Sequence, residues 1–322
     1  MKHAPLFLAL VLLSGCGGYA DFTLPVLSGG DPSLSFTFEQ HAEPVFAPAS
    51  GEALNPSVVR ADRYGYVNLY SEFDGHTWRT MAAGSDDGFA WQKLRTVIEP
   101  DPRSWEGSYI AANGSALLAN DGVWYWYQAG DKGSPRIGLW RGHKHPQPVL
   151  SYGPYMSWDE RAVADPSVLR LGETFYMYYL GQDRASPPRQ RLGLARSPDG
   201  IHWQKLRSNP VLDLDDEAGL GEPAVWQFRG FYWMLYTVRR FDETRVLRLA
   251  RSTDGVHWRK LPPIFAGSAP WNSRVICDPS VLVEDDTIRV WFGGGDVARP
   301  DENIHGRIGY GLLRPVHVTL AP

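Results

Sequence analysis

Asn55-Pro-Ser-Val-Val59, Asp165-Pro-Ser-Val-Leu169, Glu222-Pro-Ala-Val-Trp226 and Asp278-Pro-Ser-Val-Leu282 are four copies of one segment. A degenerate fifth, Asn113-Gly-Ser-Ala-Leu117, lies between the first two, and successive copies stand 58, 52, 57 and 56 residues apart. Self-similarity at a steady period marks an architecture built by repeating one supersecondary unit. A second segment closes three of the units: Ser85-Asp-Asp-Gly-Phe-Ala-Trp91, Ser197-Pro-Asp-Gly-Ile-His-Trp203 and Ser252-Thr-Asp-Gly-Val-His-Trp258, each followed at once by Gln/Arg-Lys-Leu. Asp-Gly is a strong hairpin signal because glycine tolerates the positive φ of a type I′ turn. The Trp is expected to pack over the turn and the Lys to face water.

Aromatic, β-branched runs lie between the two segments, at Tyr66–Tyr70, Val123–Tyr127, Phe175–Tyr179, Phe231–Tyr236 and Ile288–Phe292. Each unit therefore predicts a four-stranded antiparallel sheet with aromatics on both faces, which is a propeller blade. The expected fold is all-β, a five-bladed β-propeller over residues 41–322. No amphipathic helix of useful length is visible.

The first residues read as a targeting segment. Lys2 and His3 precede an apolar run from Ala4 to Leu13, then Leu13-Ser14-Gly15-Cys16. An apolar run of this length is too short to span a bilayer. The pattern resembles a bacterial lipobox, which implies a signal peptide over 1–15, lipidation at Cys16 and a tether over 16–40. The expected location is the cell envelope, lipid-anchored, on the outer membrane if the host is Gram-negative. With Cys16 acylated, Cys277 is left without an intrachain partner and is expected to be a buried structural thiol. The net charge of −4 and the absence of a basic tract argue against a nucleic-acid partner. A monomer is expected.

In a propeller the first strand of each blade lines the axis, so Asn55, Asn113, Asp165, Glu222 and Asp278 should form one ring. Pro after four of them has a bland reason, since it can open a strand without losing a ladder bond. Three carboxylates in one funnel repel one another and should raise at least one pKa. Glycosidic cleavage needs that pairing of a protonated acid with an ionised carboxylate. A smaller repeat, Trp158-x-x-Arg161-x-x-x-Asp165 and Trp271-x-x-Arg274-x-x-x-Asp278, with Trp105-Glu106 at a similar place, leads into the ring. Arg161 and Arg274 could hold a carboxylate or phosphate. Trp105, Trp158 and Trp271 could stack on sugars. All five could equally brace one blade against the next.

The inner strands and the Ser-x-Asp-Gly-x-x-Trp hairpins resemble the five-bladed propeller glycoside hydrolases of families 43, 32, 68, 117 and 130, with family 43 the nearest. By that resemblance Glu222 matches the general acid and Asp165 the residue that tunes it. Asn55 stands where the family has its Asp base, which leaves Asp278 or Glu106 to replace it. The resemblance also implies a pore cation such as Ca²⁺, with His305 either its neighbour or a surface-loop residue. His143 and His145 lack the spacing of a zinc site, so no resident metal is expected. Three functions stay open: hydrolysis of furanosides or short oligosaccharides, glycan binding without catalysis, and phosphorolysis or transfer.

Overall fold

A computed structural model describes residues 18–48, 51–61 and 63–319. Cys16 and the signal segment lie outside the described residues. Two short strands come first, β1 (Tyr19–Ala20) and β2 (Leu34–Gln40). Blade 1 holds β3 (Glu52–Ala61), β4 (Gly65–Phe73), β5 (Trp78–Ser85) and β6 (Gln92–Ile98). Blade 2 holds β7 (Ile110–Ala119), β8 (Gly122–Gly130) and β9 (Arg136–Trp140). Blade 3 holds β10 (Ala162–Leu171), β11 (Thr174–Gln182), β12 (Gln190–Ser197) and β13 (Gln204–Leu206). Blade 4 holds β14 (Gly219–Phe228), β15 (Phe231–Arg239), β16 (Arg245–Ser252) and β17 (Arg259–Phe265). Blade 5 holds β18 (Val275–Glu284), β19 (Thr287–Gly295) and β20 (Arg307–His317). The five-bladed propeller predicted from the repeats is the fold.

Three expectations are corrected. Blade 2 lacks a full fourth strand, because beyond β9 only single bridges form, Trp140 to Lys144 and Ile137 to Leu150. The expected tether belongs to the propeller from Gly18 onward. β1 pairs in parallel with β13, Leu24 is buried between blades 3 and 4, and β2 runs antiparallel to β20 as the outer strand of blade 5. The hairpin lysine does not always face water either: Lys205 is buried against Asp159.

The hairpin also closes differently from a type I′ turn. Gly88, Gly200 and Gly255 have φ of 76°, 74° and 73°, but the Asp before each stays out of the left-handed region. The side chains hold the bend instead. Ser197 Oγ accepts the Gly200 N–H at 2.9 Å, and Asp199 Oδ1 accepts the N–H groups of Ile201 and His202. The freed glycine carbonyl then ties the neighbouring blade: Trp126 Nε1 donates to Gly200 O, Tyr178 OH to Gly255 O and Trp291 Nε1 to Gly88 O, all at 2.7–2.8 Å. A local turn motif thus becomes an inter-blade lock.

The Ser of the inner-strand repeat does the same near the axis. Ser280 Oγ accepts from Val58 N–H, Ser57 Oγ from Ala116 N–H and Ser115 Oγ from Val168 N–H, at 3.0, 2.8 and 2.9 Å. The aromatic second strands fill the gaps between blades, with Tyr125, Trp126, Tyr178, Tyr179, Trp233, Tyr236 and Trp291 fully buried.

Candidate active site

Each inner strand carries a β-bulge at the same place, where the register slips at Leu54/Ser57, Ala112/Ser115, Ala164/Ser167, Gly221/Ala224 and Cys277/Ser280. The bulged residues are Asn55, Asn113, Asp165, Glu222 and Asp278, with φ of 48°, 49°, 46°, 43° and 54°. A bulge re-aims its side chain, and here all five line one narrow central tunnel of about 40 Å³. Asn and Asp enter the left-handed region with modest strain. Glutamate has no such ease, so Glu222 at φ 43° is the most strained member of the ring.

The ring is not equally open. A cavity of about 450 Å³ sits over it, reached by Asn113, Asp165 and Glu222 but by neither Asn55 nor Asp278. The reason is packing. Ile304, fully buried, sits with Leu54, Val275 and Cys277 in an apolar cluster on the blade 5 and blade 1 side. The floor of the cavity therefore belongs to blades 2, 3 and 4.

Behind that cluster Asp278 is pinned. Asn55 Nδ2 donates to its Oδ1 at 2.7 Å, and the Cys277 thiol donates to its Oδ2 at 3.0 Å. Burial, followed by the Glu222 charge, pushes Asp278 up to about 8. The amide that replaces the expected base thus holds the acid proposed to substitute for it, away from the cavity.

Asp165 and Glu222 are the two ring carboxylates that reach the cavity. Burial raises both. For Asp165 the next causes, the Glu222 and Asp278 charges, push the same way. For Glu222 the next causes, the Arg245 charge and the Thr237 hydroxyl, pull it down. The leading causes all push Asp165 up, whereas Glu222 is raised by burial against the pull of Arg245 and Thr237. The cavity wall adds basic groups that the repeats did not flag: Lys132, Arg239, Arg245 and Arg299. Each faces an acid, in the pairs Lys132–Glu302, Arg239–Glu243, Arg245–Asp301 and Arg299–Glu243.

Residues 64–277 match the family model described as Glycosyl hydrolases family 32 N-terminal domain, which is more than half of the chain. The chain belongs to this family. An uncharacterised protein of Mycobacterium tuberculosis (strain CDC 1551 / Oshkosh) is 29% identical over 225 residues, 63% of this chain and 75% of that one. A 1,2-β-oligomannan phosphorylase of Thermoanaerobacter sp. (strain X514) is 28% identical over 124 residues, 35% of this chain and 42% of that one. Among solved structures, one described as a glycoside hydrolase superposes with a TM-score of 0.72 at 17% identity, covering 92% of this chain and 95% of that one. A thermostable family-43 glycoside hydrolase superposes at 0.61 with 14% identity, covering 86% and 96%. The matching model is thus family 32, whereas the hairpins and inner strands had suggested family 43 first. The chain is a propeller of the glycosyl hydrolase family 32 kind.

Other residues singled out from the family 32 sequence lie off the cavity. Glu106 is buried, accepting from Tyr127 OH and Lys144 Nζ, both at 2.5 Å, and cannot serve as a base. Asp159 repeats that arrangement with Tyr179 and Lys205 in blade 3. Trp158 and Trp271 fill slots over glycines, at Gly181 and Gly193 and at Gly294 and Gly309, where a Cβ would collide with the indole, and Trp105 lies beside Tyr127 over Gly138. None of the three lines the cavity over the ring. Arg274 is exposed and does not line the cavity, and Arg161 is a rim residue bonded to the Gly133 carbonyl at 3.2 Å. Cys277 is buried, as its apolar setting predicts.

The pore cation finds no donor set: among the described residues no three His, Cys, Asp or Glu side chains are grouped to hold a metal. His305 is exposed, bonds Asp296 at 2.7 Å, and lines neither tunnel nor cavity. The missed wall residues lie where second strands give way to third strands, Lys132 and Arg299 in the connecting loops and Arg239 and Arg245 at the strand ends, and these places carry no repeat. Their signal was positional, since those strand ends open on the cavity side of the ring.

Proposed function

We propose that the protein cleaves a glycosidic bond in the 450 Å³ cavity, with Asp165 as proton donor and Glu222 as the ionised partner. The observation that carries this reading is that these two alone of the ring carboxylates line the cavity. Asp165 gives its proton to the leaving oxygen, and Glu222, its carboxylate supported by the Arg245 charge, takes a proton from the attacking water. Asn113 and Gln128 line the same floor and bind sugar hydroxyls. The substrate is a furanoside or short oligosaccharide. If the lipobox reading of Cys16 holds, the reaction takes place at the cell envelope, and palmitate labelling lost in Cys16→Ser tests that location.

Phosphorolysis is the second reading, favoured by the four basic wall residues and by the phosphorylase relative. The acids paired with those cations speak for water as acceptor. One screen separates the readings. The chain is incubated with aryl α-L-arabinofuranosides and β-1,2-mannooligosaccharides, with and without inorganic phosphate, beside Asp165→Asn and Glu222→Gln. Each variant should lose about 10²–10⁴-fold in rate, the usual worth of a general acid or base. Sugar release without phosphate supports hydrolysis, and strict phosphate dependence supports the second reading. Saturable binding with no release leaves glycan recognition without catalysis.

A further inference from the structure

The cavity wall is stitched into a closed rim. Glu302, on the loop joining β19 to β20, accepts from Tyr109 OH at 2.7 Å and pairs with Lys132, so a blade 5 loop reaches across blade 1 to blade 2. Next to Lys132, the Gly133 carbonyl accepts from Arg161 Nε, whose own backbone N–H donates to Gln182 O at 2.9 Å, joining blade 2 to blade 3. Gln182 bonds Gln190 at 3.3 Å, and Gln190 accepts from Arg239 at 3.2 Å, joining blade 3 to blade 4. Arg239 pairs with Glu243, which faces Arg299, and Arg245 pairs with Asp301, returning the circuit to the blade 5 loop. Ile304 and its apolar neighbours fill the space beneath that loop.

We propose that this rim makes the cavity a dead end that admits the terminal residue of a glycan and excludes interior residues. The inference deepens the cleavage reading above and rests on it for the reaction. An interior sugar continues as chain on both sides and needs a trough with two exits. Here the blade 1 side is filled by packing, and every other side is crossed by a bond between neighbouring blades. Glycan can leave only upward through the single mouth, so just one end of the bound residue can carry chain. Glu302 and Lys132 act as specificity determinants, because their pairing anchors the blade 5 loop that carries Ile304 and so keeps that packing in place on the side where a trough would otherwise run over blade 1.

The probes are β-1,2-mannotetraose and α-1,5-arabinotetraose labelled at the reducing end. Each is also prepared with its non-reducing terminal residue blocked as an acetal. The full chain should shorten the free tetraoses one residue at a time and cut the blocked ones about 100-fold more slowly, the discrimination expected when a pocket wall excludes added bulk. A Lys132→Ala, Glu302→Ala double variant should regain about tenfold on the blocked probes by opening the blade 1 side. Labelled fragments of mixed length at initial rates, or equal rates on free and blocked probes, overturn the proposal. If nothing is cleaved, calorimetry decides. Binding of free probes but not blocked ones upholds the dead end while the cleavage reading falls, and equal or absent binding of both overturns it.

Discussion

Five residues at equivalent positions share one backbone conformation, and their side chains alone decide what each can do. Asn55 and Asp278 face each other behind the Ile304 cluster, and a neutral amide there lets a buried carboxyl survive without a cation. Asp278 has its pKa raised to about 8 from an ordinary value near 4, so the folded state keeps its proton over an interval where the unfolded chain has lost it. The native state then binds more protons than the unfolded one between those pH values, and stability falls as pH rises through them, by at most about 1.4 kcal/mol per unit. Asp278→Asn keeps an acceptor for Asn55 and removes the titration. Its denaturant midpoint should match the native protein at pH 4 and exceed it at pH 8. A midpoint difference that does not change with pH would show that Asp278 titrates normally.

The inner strands combine two tasks at the scale of the element. Their bulge turns one side chain to the axis, and two residues on, the Ser of the repeat reaches the next blade. Ser115 Oγ accepts the Val168 N–H at 2.9 Å, and Ser115→Ala should cost about 1 kcal/mol by leaving that donor unpaired. Blade 4 carries Ala224 at the equivalent position. Ala224→Ser, which offers the missing acceptor to blade 5, should leave stability equal or raise it. Urea midpoints of the two variants check both signs. The glycine–tryptophan slots belong to the same scale. Trp158 lies over Gly181 and Gly193 because those positions have no side chain, and its sequence neighbour Asp159 closes the buried pair with Lys205.

For the whole molecule, the ring closes through residues far apart in sequence. β2 supplies the fourth strand of blade 5, in register from Leu34 opposite His317 to Gln40 opposite Gly311, and its Phe36 packs on Trp226, Phe228 and Trp233. Fully burying a Phe contributes roughly 1.5–3 kcal/mol, and β2 also covers an otherwise bare strand edge. A chain beginning at residue 34 should fold with a lowered melting temperature, since it loses Leu24 and β1. A chain beginning at residue 41 should lose cooperative unfolding by circular dichroism. Equal melting curves for the two would mean that β2 does not close the ring.

Much of this was legible in the residues themselves. The period of the inner-strand segment determined the blade number, because each copy must begin one blade for its apolar faces to be covered by neighbours. Asn113 was found as the fifth member through spacing alone, despite the loss of its Pro. The convergence of five side chains of three kinds, Asn, Asp and Glu, on one axis followed from the same symmetry.

The sequence by itself therefore determined an all-β five-bladed ring with Asp165 and Glu222 on its inner strands. Only the tertiary structure decided which ring members meet the cavity, and it did so by asymmetric packing. The β19–β20 loop buries Ile304 against Leu54 and Cys277, the residues just before Asn55 and Asp278, while Arg245 arrives from a strand in blade 4 and pulls on Glu222. Repeats encode what the blades have in common. The cavity, the rim and the charge balance come from the loops in which the blades differ, and contacts between distant loops leave no period in the sequence to read.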